Sequence, residues 1–436
     1  MHQFMPLNPW CRAQRFAVVA VVTLLSNTTY AQSPENAPKQ VPVFWDEFTT
    51  DHVVQMGVDS WSLNKNLGPA GIIDSTRSLN LADSQPHGNY KSTSPWVKID
   101  AQARLGNAVF RLRFDQNQSI GSRIDEFSAD FSRYDLGMRA GVLSYKVSWC
   151  RTQEVDSPWM RENDPFCVLD TTSAAIKSAP GVQAYINTLV NSYKVQSLVG
   201  VYRPMFGNFN TSEFSEYVDP DLRVIGNKKY GASMNAIDLN TGTEFRLSYL
   251  HSDQMANEIM PNDPTRRLDQ TTDVGYVAIS TYITPLINLR LSHFKSRAHV
   301  DYTFPVGYAK PGDYYPDIFD TFGRERTSKV LELNYQHTAR DVISFAYSSY
   351  DVFDRYQSIR QETPSGALRY FTPTKIQYNN TSQSIAWRRD WQVNFFTILQ
   401  ATFAHLAQPL SDSTSTKTSY THSTGRALGL RLGYSF

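Results

Sequence analysis

Three cysteines, no long apolar run and almost no net charge set the first limits on this chain of 436 residues. Lysine and arginine number 42 and the acids 41, a formal charge of +1. A nucleic-acid binder would carry a basic excess, so none is expected as a partner. Beyond residue 31 no apolar stretch approaches the length of a membrane helix. Disorder is excluded from the other side, because aromatics reach 13% and include 24 Tyr and 24 Phe. Also missing are GxSxG, HExxH, Walker A and GxGxxG in a strand–helix setting. No catalytic residue, metal or cofactor is therefore expected.

The one apolar run lies near the start. Phe16–Leu25 follows Arg12 and Arg15 with no acid before it. Ten residues suit the core of a signal peptide and are too few to cross a bilayer. Small residues follow, and Ala31 closes a plausible cleavage site. Residues 1–31 are read as a signal peptide, 32–51 as a short periplasmic segment and 52–436 as the folded domain. Loss of Arg12 and Arg15 leaves 40 basic against 41 acidic groups in the mature chain.

Export leads to an oxidising compartment. Cys150 and Cys167 remain after cleavage, and sixteen residues separate them. Such a pair reads as a disulfide, with about 3 kcal/mol from loop closure on the chain-entropy view. A metal site lacks a nearby His. Reactive thiols are the other alternative.

Period-2 alternation fills the rest of the chain, the mark of strands with two unlike faces. In residues 97–105, VKIDAQARL, the valine, isoleucine, alanines and leucine share one face. Lys98, Asp100, Gln102 and Arg104 share the other. After a Gly106-Asn107 turn, Phe110, Leu112 and Phe114 oppose Arg111, Arg113 and Asp115. The same pattern returns at 243–250, 286–293, 330–336 and 425–436. It sets Glu244, Arg246, Arg290, Glu332 and Arg431 on polar faces.

Very short turns alternate with long polar connections along the chain. That is the layout of a transmembrane β-barrel, and a sandwich or propeller would not separate the two lengths so regularly. The fold class expected is all-β: an antiparallel transmembrane barrel of about 16 strands, with 14 to 18 open. An even count puts both termini on the tight-turn, periplasmic side. Trp96, Trp149, Tyr134, Tyr193, Trp387, Trp391 and Tyr434 fall near strand ends, where interfacial aromatics collect.

Sixteen strands leave room for an aqueous channel. The candidate pore-lining residues are Lys98, Asp100, Arg104, Arg111, Arg113 and Asp115, with Glu244, Arg246, Arg290, Glu332 and Arg431. Arg104, Arg111 and Arg113 form a basic stripe that favours anions if it narrows the pore. Residues 300–326, rich in Tyr, Phe and Asp, are one candidate for a loop folded inward. Residues 150–180 are the other. His251, Ser252 and Asp253 are adjacent but point to alternate faces, so they do not converge as a triad.

The terminal strand, GRALGLRLGYSF, ends in Phe436 with Tyr434 two residues earlier. It resembles the last strand of Gram-negative outer-membrane β-barrel proteins. There the terminal aromatic is part of the assembly signal. With the export signal and the loop pattern, the chain looks like a porin. The resemblance implies location in the bacterial outer membrane and contact with its lipid. It also implies handling by the assembly machinery and passive passage of small hydrophilic solutes or ions. A homotrimer is a family expectation. The alternatives are a structural, adhesive or export-related barrel, and an outer-membrane hydrolase.

Overall fold

In a computed structural model the described residues are 48–64, 90–117, 121–133, 135–143, 158–160, 179–202, 222–258, 267–304, 318–361, 368–370, 374–391, 394–410 and 419–435. The chain divides into Met1–Phe48 and Thr49–Phe436. Of the first unit only Phe48 is described, so the signal peptide and residues 32–47 lie outside the described residues. The second unit is the barrel.

Its strands follow one another as hairpins. The first eight are β1 (Phe48–Asn64), β2 (Tyr90–Leu105), β3 (Ala108–Asn117), β4 (Gly121–Arg133), β5 (Leu136–Leu143), β6 (Ala179–Val190), β7 (Tyr193–Tyr202) and β8 (Leu222–Asp238). Then come β9 (Glu244–Glu258), β10 (Arg267–Thr284), β11 (Ile287–Phe304), β12 (Ile318–Thr338), β13 (Asp341–Gln361), β15 (Thr374–Asp390), β16 (Phe395–Leu410) and β17 (Ser419–Ser435). A three-residue piece, β14 (Leu368–Tyr370), pairs with the end of β13. β1 bonds to β2 on one side and antiparallel to β17 on the other, so the sheet closes on itself. Sixteen strands form the wall, and closure leaves no open edge.

Local chemistry sets the tight turns. Gly106 adopts φ 56° between β2 and β3, and Asn191 adopts φ 55° between β6 and β7. Glycine and asparagine are the residues that tolerate this left-handed backbone in two-residue hairpins. Between β12 and β13 the Thr338 hydroxyl donates to Asp341 Oδ2 at 2.6 Å, tying the turn across its own base.

The two faces of the wall are inverted relative to a soluble sheet. On β9, Phe245, Leu247 and Tyr249 are exposed, whereas Arg246, Ser248 and Ser252 are buried. On β17, Leu428 and Leu432 are exposed and Arg431 is buried. Leucine and phenylalanine outside, with arginine and serine inside, is the arrangement that hydrocarbon surroundings favour. Tyr193, Tyr282, Trp391 and Tyr434 are exposed near the tight-turn end. Trp96 is not among them: it lies buried on the inner face, against Arg431 and Phe396. Trp149 and Tyr134 lie outside the described residues. The stretch 300–326 belongs partly to the wall, because β11 runs on to Phe304 and β12 begins at Ile318.

Candidate functional site

The barrel's inner face holds the candidate chemistry. Alternation places Asp100 on β2, Arg111 and Arg113 on β3, and Glu126 and Asp130 on β4 along that face. Arg139 on β5 and Tyr185 on β6 continue it. A register shift between Arg113 and Phe114 skips Asp125, and so brings Glu126 rather than Asp125 opposite Arg113. Arg113 Nε lies 3.0 Å from Asp100 Oδ2, and its Nη1 lies 3.9 Å from Glu126 Oε2. Arg111 Nη2 is 3.9 Å from Asp130 Oδ2. Arg139 reaches both acids, at 3.8 Å from Glu126 Oε1 and 2.8 Å from Asp130 Oδ2. The Ser128 hydroxyl donates to Glu126 Oε1 at 2.9 Å. Anion and cation therefore alternate across the four strands β2 to β5.

The candidate charges on β9, β11, β12 and β17 are also paired. Arg246 Nη2 donates to Glu244 Oε1 at 3.0 Å, and Arg290 Nη1 donates to Glu332 Oε1 at 3.1 Å. Asn334 donates to the same Glu332 oxygen. Arg431 grips Asp59 through Nε at 2.8 Å and Nη2 at 2.6 Å, one bond to each carboxylate oxygen. A forked pair of this kind fixes geometry as well as charge. Arg104 is exposed near the tight turn, with no ion pair among the described residues. Lys98 is half-buried, in register with Asp115, whose side chain lies outside the described residues. The expected basic stripe is thus interleaved with acids. Glu126, Asp130, Arg139, Asp59 and Tyr185 complete the network and were not singled out from the sequence.

A short segment crosses to the far wall. Pro158–Met160 belongs to the connection between the neighbouring strands β5 and β6. It nevertheless contacts inward residues of β13, β15, β16 and β17. The Met160 amide donates to Gln400 Oε1 at 3.1 Å. The Met160 side chain packs with Trp96, Phe396, Ile398, Ala404 and Ala427. Trp159 packs on Ala346 and Ala386, and its indole approaches Glu332. Both residues are essentially fully buried. Small side chains on these strands form the recess that admits a tryptophan and a methionine. Cys150 and Cys167 lie in the same connection, outside the described residues.

His251 sits elsewhere, on the outer face. Its Nδ1 is 2.8 Å from Asp273 Oδ1 and its Nε2 is 2.9 Å from Asp253 Oδ1. Ser252 is buried on the opposite face. Tyr434 is exposed and accepts from Asn394 Nδ2 at 3.2 Å, while Phe436 lies outside the described residues.

No known family's sequence profile matches the chain. No curated protein matches it either. Solved structures do resemble it. The outer membrane channel DcaP of Acinetobacter baumannii is 10% identical, with 92% of this chain and 100% of that one covered and a TM-score of 0.49. An anion-selective porin from Comamonas acidovorans is 10% identical over 89% of this chain and 100% of its own, with a TM-score of 0.49. Outer-membrane expressed OmpT of Vibrio cholerae is 9% identical over 90% and 98% of the two chains, with a TM-score of 0.46.

Proposed function

We propose that the chain is an outer-membrane porin, a passive diffusion channel for small hydrophilic solutes or ions. A single observation carries this reading. Sixteen strands close around an inner face of paired charges, while the outer face is apolar. A barrel of that size encloses more than its own side chains fill. In this reading the tight turns and both termini are periplasmic, and the candidate charges line the bore. Pro158–Met160 and its docking wall form the constriction. Ion preference follows from charges that lack a partner, Arg104 first among them, because each close pair contributes only a dipole to the field along the bore. Residues 1–31 are the export signal, and Tyr434 and Phe436 are read by the assembly machinery.

One observation favours a second reading, a shut barrel with a structural, adhesive or export role. Glu126 and Glu332 have 0% exposure, whereas carboxylates facing an open bore stay wetted. Planar-bilayer recordings of the refolded mature chain in a salt gradient separate the two. Stable current steps are expected for the channel. Folded but silent protein would sink the porin reading in favour of the shut barrel.

A further inference from the structure

The seam between β1 and β17 carries more on its inner side than the pair that closes it. Arg431 donates from Nε and from Nη2 to the two oxygens of Asp59, the residue that faces it in the register. Both are buried. A forked pair fixes the plane of the guanidinium as well as placing its charge. That plane lies over the Trp96 ring, with Cζ 4.5 Å from the centroid. Trp96 belongs to β2, on the other side of β1, so the stack bridges the seam strand from within.

Packing alone orients Trp96. Its Nε1 has no hydrogen-bond partner among the described residues. Phe396 leans on it at 6.3 Å between ring centroids, tilted by 46°. Phe396 is itself seated by Arg388, whose Cζ stands 4.8 Å from the ring centroid, and by Gly433, where a Cβ would overlap the phenyl carbons. The space that this glycine leaves on β17 is filled by the ring that backs Trp96.

Met160 rests on this stack. It packs with Trp96 and Phe396 and is 0% exposed. Its amide is held by Gln400 Oε1 at 3.1 Å, which fixes the main chain on the wall. The side chain has no strong hydrogen bond to fix it, and a thioether adapts to the surface it meets. How far Met160 projects is therefore set by where the indole lies. Asp59 acts at one remove: it orients Arg431, Arg431 orients Trp96, and Trp96 supports Met160.

We infer that Asp59 and Arg431 are positioning residues for the bore: across the seam they fix the Trp96 plate on which Met160 sits. The inference rests on the reading of Pro158–Met160 as the constriction. Hydrogen peroxide converts an accessible methionine to its sulfoxide, and peptide mass spectrometry of the full mature chain, folded in detergent, follows Met160 by itself. The urea-unfolded chain sets the upper rate. Met160 should be protected in wild type. It should oxidise about tenfold faster in Asp59→Asn and in Arg431→Lys, which keeps the charge and loses the fork. Asp59→Glu keeps the carboxylate and should restore most of the protection. Glu244→Gln, which breaks a pair on β9, should oxidise as wild type does. Trp96→Leu leaves the seam pair intact, should expose Met160 as much, and carries the test if the seam variants do not fold. Adding Asp59→Asn to it should change little, because the two act in series. Unchanged protection in the folded Asp59 and Trp96 variants, faster oxidation in Glu244→Gln, or additive effects in the double variant overturns the assignment. Single-channel current is recorded on the same samples, and Asp59→Asn should broaden the spread of its steps. A silent protein whose Met160 protection still depends on Asp59 defeats only the channel reading.

Discussion

Arg139 and Asp130 are joined by two hydrogen bonds to one carboxylate oxygen, from Nε at 3.1 Å and Nη2 at 2.8 Å. The other oxygen accepts from the Tyr185 hydroxyl at 2.6 Å. Both charged partners are buried. Removing one member of such a pair strands the other without compensation. Arg139→Leu should therefore cost about 3–5 kcal/mol. The measurement is urea unfolding in micelles, followed by tryptophan fluorescence. Adding Asp130→Asn to that variant should restore part of the loss, and a purely additive double variant would show that the pair does not act as a unit.

Gly137 makes room for that tyrosine. A Cβ at this position would fall 2.1 Å from Tyr185 Cζ. Gly137→Ala should push the ring away from Asp130 and cost about 1–3 kcal/mol by overpacking. The same unfolding assay reads it, and in a Tyr185→Ala background the cost should largely disappear.

Ion preference offers a sharper contrast. Replacing Arg113 and Asp100 together, by Gln and Asn, removes a pair with no net charge. The reversal potential in a salt gradient should stay put. Arg104→Gln removes a cation without an ion-pair partner among the described residues and should shift the potential toward cations. Equal shifts from both variants would contradict selection by unpaired charge.

Trp159 and Met160 should limit the bore. Trp159→Ala leaves Ala346 and Ala386 uncovered inside the barrel. Larger single-channel current and faster liposome swelling with neutral sugars are expected. The variant should also lose about 3–5 kcal/mol from the emptied recess. Unchanged current in a folded variant would place the constriction elsewhere.

The strands were legible because a barrel wall writes its two faces into alternate residues. The alternating segments at 97–105, 243–250, 286–293, 330–336 and 425–436 all fall on strands, and Gly106-Asn107 is the turn between β2 and β3. Ends were less legible. β11 runs on to Phe304 and β12 begins at Ile318, both inside the stretch 300–326 that reads as a loop from its Tyr, Phe and Asp content. Ladder bonds form whether or not side chains alternate, so strands run past the apolar band without announcing it. Partner choice was hidden as well. Which acid meets Arg113 depends on the one-residue bulge at Asp125. Met160 meets Gln400 across 240 positions, and nothing near either residue signals the contact. Trp96 looked like an interfacial aromatic because position along a strand says nothing of a cation waiting inside.

Asp59 and Arg431 stand 372 positions apart and meet across the seam between β1 and β17. The first strand to leave the ribosome thus waits for the last before its free edge is covered. Until then every nascent length of this wall exposes two unpaired edges that hydrocarbon will not accept. Synthesis and membrane entry must accordingly be separated in time. The finished chain needs to be kept from pairing with other copies until its two ends arrive together, and a truncation anywhere along the barrel removes the seam itself rather than one part of the wall.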